Sequence, residues 1–173
     1  VYTALDGTKK LLVAGVKIPA FSTVTLRYIK GEPGSGSAFP AENDSLETPF
    51  ASVKFAENGT LGSFVDKRAV RELVNGIPLN TFMMAEDLPE SWDNWDIDAD
   101  IMSKFKDCTE LVSREVVSDG EVAYIVRSAY KISSKSTVRQ DMIFFADSAE
   151  VRFDTAINWN DDHRFLKAFF DTT

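Results

Sequence analysis

Beyond residue 50, apolar side chains fall at every second position over several runs, the period of a strand that buries one face. In residues 121–132 one face collects Val122, Tyr124, Val126, Tyr130 and Ile132, while the other carries Arg127 and Lys131. Residues 150–159 repeat the pattern, with Val151, Phe153, Ile157 and Trp159 expected inward and Arg152, Asp154 and Asn158 outward. Val138, Met142 and Phe144 predict a strand between these two, and the apolar run at 165–170 predicts another near the end. Near the start, Val24, Leu26 and Tyr28 alternate with Thr25 and Arg27 in the same way. These runs are rich in β-branched and aromatic residues, which fit a pleated, half-buried surface.

Turn signals divide the runs. Asn58-Gly59 separates residues 51–56 from 61–65, and Asp119-Gly120 separates 111–117 from 122–132; both dipeptides suit hairpin turns that need positive φ. Only residues 67–74 look helical, with Val70, Leu73 and Val74 on one side, and that stretch is too short to hold as a helix by itself. Many short strands with little helix predict an all-β sandwich or barrel. One long break, rich in Gly, Pro and Ser, runs from Gly31 to Pro49. It is expected to be a linker (31–49) between a small leading β-unit (1–30) and the main sandwich (50–173).

Composition narrows the function classes. A chain of 173 residues with 44% hydrophobic residues can bury one sizeable core. The net charge of −8 is spread along the chain without a basic patch, so neither nucleic acid nor an anionic membrane is an expected partner. No apolar run is long enough to span a bilayer, and residues 1–10 do not make a signal peptide. Cys108 is the sole cysteine, which excludes an internal disulfide and fits a reducing compartment, so a cytoplasmic location is expected. The chain opens at Val1 without an initiating methionine and stops just after an apolar run; both ends are expected to be cuts in a longer polypeptide.

The densest polar constellation is Trp92, Asp93, Asn94, Trp95, Asp96, Ile97 and Asp98, with Asp87 before it and Asp100 after it. Indole faces stack on the apolar face of a pyranose and carboxylates accept hydrogen bonds from its hydroxyls, so this loop has the composition of a sugar site. The other reading is a loop whose tryptophans are buried against the sandwich and whose aspartates cap turns or face solvent. An EF-hand beginning at Asp96 fails, because Ile101 stands at the sixth position where glycine is needed and Asp107 at the twelfth where glutamate belongs. His163, the lone histidine, follows Asp161 and Asp162, and a single histidine at a strand end is expected to cap or face solvent rather than to bind metal. No nucleophile elbow, phosphate-cradling loop or Cys/His pair is present in the sequence.

Several stretches, in order, resemble the region after the catalytic domain of glycoside hydrolase family 38 α-mannosidases of the bacterial and cytosolic type. They are Ile18 to Phe21, Thr25 to Tyr28, Val53 to Phe55, Glu57 to Leu61, Asp66-Lys67, Arg71 to Leu73, Leu79-Asn80, and Thr155 to Trp159 with His163 and Leu166-Lys167. The most specific is Asp87-Leu88-Pro89 leading into Trp92 to Asp98. The resemblance implies a galactose-mutarotase-like β-sandwich (supersandwich): residues 1–30 end a small β-sandwich unit, and 50–173 begin the large C-terminal one. It implies a parent that hydrolyses terminal α-mannosides by a retaining mechanism, with zinc or another divalent metal held in a catalytic domain missing from this chain. In that family the nucleophile, the acid/base and the zinc ligands lie in the N-terminal domain, so no catalytic residue carries over and the chain is expected to bind no metal. The implied partners are the catalytic domain of the same polypeptide and an α-mannoside or mannose-containing glycan, with Trp92, Asp93, Trp95, Asp96 and Asp98 at the sugar-site rim or the interdomain surface. A carbohydrate-binding module using Trp92 and Trp95, or a structural spacer, remains the alternative.

Overall fold

The computed structural model describes residues 1–29, 31, 36–92 and 95–173. Strands β1 (Tyr2–Thr3) and β2 (Lys9–Lys10) form a short hairpin. Strands β3 (Ala41–Glu42), β4 (Ser45–Glu47), β5 (Ala51–Phe55), β6 (Leu61–Asp66) and β7 (Arg71–Glu72) then build a five-stranded antiparallel meander. Next come β8 (Thr81–Glu86), helix α1 (Ile101–Lys104) and β9 (Lys106–Asp107). Strands β10 (Glu110–Asp119), β11 (Ala123–Lys131), β12 (Thr137–Phe145) and β13 (Val151–Asn158) form a four-stranded antiparallel sheet in chain order. Strand β14 (Arg164–Phe169) returns to pair with β8, giving a third sheet in the order β14-β8-β9.

The alternation read in the sequence decides what packs on what. Tyr124, Val126, Met142 and Phe144, from one face of β11 and β12, bury against Phe39, Leu46, Val53 and Leu61 of the meander. Further along that face, Tyr130 and Val138 bury against Phe82 of β8. The four-stranded sheet is thus one layer of a sandwich, and the meander and the β8 sheet cover its two ends. Its opposite face is not solvent: Ala123, Ile125 and Ile143 bury against Tyr2 and Ala4 of the leading hairpin. Strand β11 is therefore covered on both sides, where the sequence pattern gave it an outward face through Arg127. That side chain turns inward and pairs with Asp141 directly across the ladder.

Both dipeptide turns fall between strands, and they differ in backbone. Gly59 has φ +78, and a Cβ there would stand 2.8 Å from Leu111 Cδ1 and 3.2 Å from the Tyr130 hydroxyl oxygen, so the position needs glycine for its conformation and for space. Gly120 takes no positive φ. Residues 67–74 form a turn followed by β7, with Val70 at φ 52 and exposed, not a helical segment. Val24, Leu26 and Tyr28 alternate but join no strand and stay exposed. The Gly/Pro-rich break ends sooner than expected: Phe39 and Leu46 are core residues and 41–42 and 45–47 are strands, so the second half of the 31–49 stretch belongs to the meander. On β13, Val151 and Phe153 pack inward, the latter with its ring 5.4 Å from Phe170. Ile157 and Trp159, also expected inward, are 48% and 39% exposed because cover runs out toward that end of the edge strand.

Candidate functional site

The site is built where β8 leaves the third sheet and β14 enters it. The ladder between them runs from Thr81↔Phe169 to Glu86↔Arg164, and the Asp87 amide extends it by donating to the His163 carbonyl at 2.9 Å. Two segments therefore diverge from one point: the loop after β8 and the segment joining β13 to β14. His163 has φ 50, a left-handed residue that turns the chain into β14.

The loop is held in shape by its own polar groups. Trp92, at φ 64, accepts the amides of Trp95 and Asp96 on its carbonyl at 2.8 and 3.0 Å, which holds 95 and 96 close to 92. The Asp98 amide donates to Asp87 Oδ1 at 2.9 Å and closes the base of the loop. The Asp98 carboxylate accepts from Lys104 Nζ at 2.6 Å, and the same ammonium lies 2.7 Å from Asp100 Oδ1. That contact keeps the Asp98 carboxyl below the usual carboxylate range. Asp98 is thus occupied in fixing the loop to α1, whose Ile101 is buried.

With the polar groups so used, the indoles are left outside. Trp92 is 77% exposed and Trp95 91%, so the reading in which they are buried against the sandwich does not hold. Trp95, Asp96, Ile97 and Asp87 form one wall of a cleft of about 610 Å³. Trp159, Asp161, Asp162 and Arg164 form the other, with His163 and Phe165 completing the lining. Asp96 and Asp98, both assigned by the resemblance to the rim or the interdomain surface, are separated in role: Asp96 lines the cleft, and Asp98 does not. Asp93 lies outside the described residues.

The second wall is anchored as firmly as the first. Asp161 Oδ2 accepts from the hydroxyls of Ser133 and Ser136, each at 2.5 Å, and the Asn160 amide donates to Ser136 Oγ at 2.8 Å. Those two hydroxyls hold the Asp161 carboxyl below the usual carboxylate range. Trp159, Asp161 and Asp162 repeat the indole-with-carboxylate composition of 92–98, and that repetition was the signal available in the sequence for this wall. It was obscured because Trp159 continues the inward register of β13, and only the missing cover turns it into a surface residue.

Depressed carboxyls set the acid response. Asp161 and Asp98, together with Glu47, whose carboxyl is lowered chiefly by Lys67, bind protons more readily in the unfolded chain than in the folded one. Their contribution to stability is complete above the ordinary carboxylate range and is lost as pH falls through the depressed folded values. The thermal midpoint is expected to hold between about pH 5 and 7 and to drop toward pH 3, with a shallower drop in Asp161→Asn. A midpoint that rises on acidification would contradict this assignment.

Among the described residues no group of three or more His, Cys, Asp or Glu side chains is arranged to hold a metal ion. Cys108 is half-buried, donates to the Phe82 carbonyl, and has its thiol pushed up to about 11, chiefly by burial, which makes it a poor nucleophile and metal ligand. No helix is long and apolar enough to cross a membrane among the described residues.

Comparison with known proteins supplies the family. Alpha-mannosidase G of Dictyostelium discoideum is 28% identical over 153 residues, covering 82% of this chain and 14% of that protein. Alpha-mannosidase 2C1 of Homo sapiens is 27% identical over 128 residues, covering 73% of this chain and 12% of that protein. The chain thus spans about one-seventh or less of the length of these relatives. Residues 46–173, which include β5 to β14 and both walls of the cleft, match the family described as Glycosyl hydrolases family 38 C-terminal domain, and the chain belongs to that family.

Proposed function

We propose that this chain is a non-catalytic β-sandwich segment of an α-mannosidase whose parent polypeptide hydrolyses terminal α-mannosides by a retaining, zinc-dependent mechanism in the cytoplasm. The observation that carries the reading is the family match over residues 46–173, joined to relatives that are α-mannosidases many times longer than this chain. The nucleophile, the acid/base and the metal ligands belong to other parts of the polypeptide. This segment supplies a rigid scaffold and two surfaces for packing on the catalytic domain.

One surface is the stretch 11–29, where Ile18, Phe21, Leu26, Tyr28 and Ile29 are all more than half exposed, an apolar display that an isolated soluble surface gains nothing from. It corresponds to the end of a small β-sandwich unit that other parts of the polypeptide complete. The other is the crown of the loop after β8, where Leu88 and Trp92 stand out from the sandwich. Trp95 and Asp96 face the cleft behind that crown, and the carbohydrate-binding alternative draws its support from there.

The test separates the chain from its parent. The 173 residues alone are expected to show no turnover of an activated aryl α-mannoside, with or without added zinc. The full polypeptide is expected to turn it over and to lose activity on chelation. Turnover by the purified chain that disappears on chelation would overturn the reading, as would a full polypeptide inert toward every α-mannoside.

A further inference from the structure

We propose that the cleft between Trp95 and Trp159 is a binding site for a neutral pyranose, the terminal sugar of an uncharged glycan. The inference rests on the α-mannosidase reading only in the choice of mannose as first probe; the site itself is argued from its walls. The volume, about 610 Å³, lies within the range of small-molecule sites. An indole lines it from each segment, Trp95 from the loop after β8, 91% exposed, and Trp159 from the end of β13, 39% exposed. A pyranose presents C–H groups on its faces and hydroxyls around its edge, so it gains apolar contact from indoles and hydrogen bonds from groups between them.

Those groups are present and oriented before any ligand arrives. Asp87 spends Oδ1 on the Asp98 amide, Asp96 spends Oδ1 on the Ile97 amide, and Asp161 spends Oδ2 on two serine hydroxyls. In each case the bond fixes the carboxylate and leaves its other oxygen able to accept a sugar hydroxyl. Arg164, opposite, is the donor for a ring or hydroxyl oxygen. With Asp162 added, four carboxylates face one guanidinium, so a uronate, a sialic acid or a phosphate is repelled and the ligand is uncharged. A second source of apolar surface, an aromatic side chain from elsewhere in the polypeptide, would fill the cleft but would leave the fixed carboxylates without hydroxyl donors.

The chain's three tryptophans are Trp92, Trp95 and Trp159, two of them in the cleft and the third in the adjoining turn, so intrinsic fluorescence of the 173-residue chain reports on this site. Titration with methyl α-mannopyranoside is expected to give a saturable emission change with a half-point on the order of 1–10 mM, the range for a ligand of this size. Glucuronate is expected to give none. Trp95→Ala and Trp159→Ala are each expected to weaken binding at least about tenfold, Trp95→Phe to retain most of it, and Val116→Ala, on the edge of the four-stranded sheet, to leave it unchanged. Trp95 is 91% exposed, so Trp95→Ala should keep the wild-type thermal midpoint; Trp159 is 39% exposed, so the midpoint of Trp159→Ala is measured alongside, and if it falls, Asp96→Asn and Trp95→Phe carry the comparison by ligand-observed NMR. A response to another neutral pyranoside but not to mannoside would uphold the cleft and count against the α-mannosidase reading. No response to any neutral pyranoside at 100-fold the expected half-point, or equal binding of glucuronate, would overturn the cleft while leaving that reading to the turnover assay.

Discussion

Phe39→Ala is expected to destabilise the fold by about 3–5 kcal/mol, the usual cost of emptying a buried phenylalanine site. Phe39 is 2% exposed, shares the main core cluster with Leu46, Val53 and Phe144, and sets its ring 5.9 Å from that of Tyr124. It therefore plugs one end of the contact between the meander and the four-stranded sheet. At 2–4 °C per kcal/mol for a chain of this size, the thermal midpoint should fall by roughly 6–20 °C. Phe21→Ala is the internal control: the same side chain, fully exposed, should change stability by no more than about 0.5 kcal/mol in the isolated chain. A loss of similar size in both variants, or a Phe39 loss under about 1 kcal/mol, would mean that residues 31–49 behave as a linker throughout.

That contrast marks where the sequence is legible and where it is not. Period-two alternation found β11, β12 and β13, which pair with one another over long ladders, and the Asn58-Gly59 turn located the hairpin of β5 and β6. It failed at Val24, Leu26 and Tyr28, where the pattern is equally regular; a strand needs a partner as well as an alternating sequence, and these residues pair with no sheet. It failed in the opposite sense at β3 and β4, two- and three-residue strands set among Pro40, Asn43 and Asp44, too short to show a period at all. Strand β8 escaped notice because its core reads Phe82, Met83, Met84 and Ala85, apolar without alternation, as expected of a strand paired on both edges and covered on much of both faces. For the cleft, the loop of Trp95 and Asp96 was visible from composition, whereas Trp159 was hidden by its place in a strand register whose cover ends before the strand does.

The Arg127–Asp141 pair was also out of reach, since Arg127 reads as the solvent face of β11 and nothing local shows that the leading hairpin lies over it. Asp141 has a side chain only 1% exposed and Arg127 13%, and the two meet through Nε to Oδ1 at 2.7 Å and Nη2 to Oδ2 at 2.8 Å. The same Nη2 donates to the Thr3 carbonyl at 2.8 Å, so one guanidinium ties the β11–β12 ladder to the first strand. Removing either partner leaves the other charged in a largely buried site. Asp141→Ala and Arg127→Met are each expected to cost about 3–5 kcal/mol. The double replacement Arg127→Met, Asp141→Leu is expected to recover most of that loss, because the cost lies in the orphaned charge rather than in the lost attraction. Position in the fold adds a local signature: both Arg127 variants release the Thr3 carbonyl, so amide exchange and proteolysis within residues 1–10 should accelerate more than in Phe39→Ala, whose damage lies on the opposite face of the sheet. Equal losses in the single and double variants would show that the pair stabilises the sheet by its own attraction, and uniform exchange along the chain would show that the hairpin is held by Tyr2 and Ala4 alone.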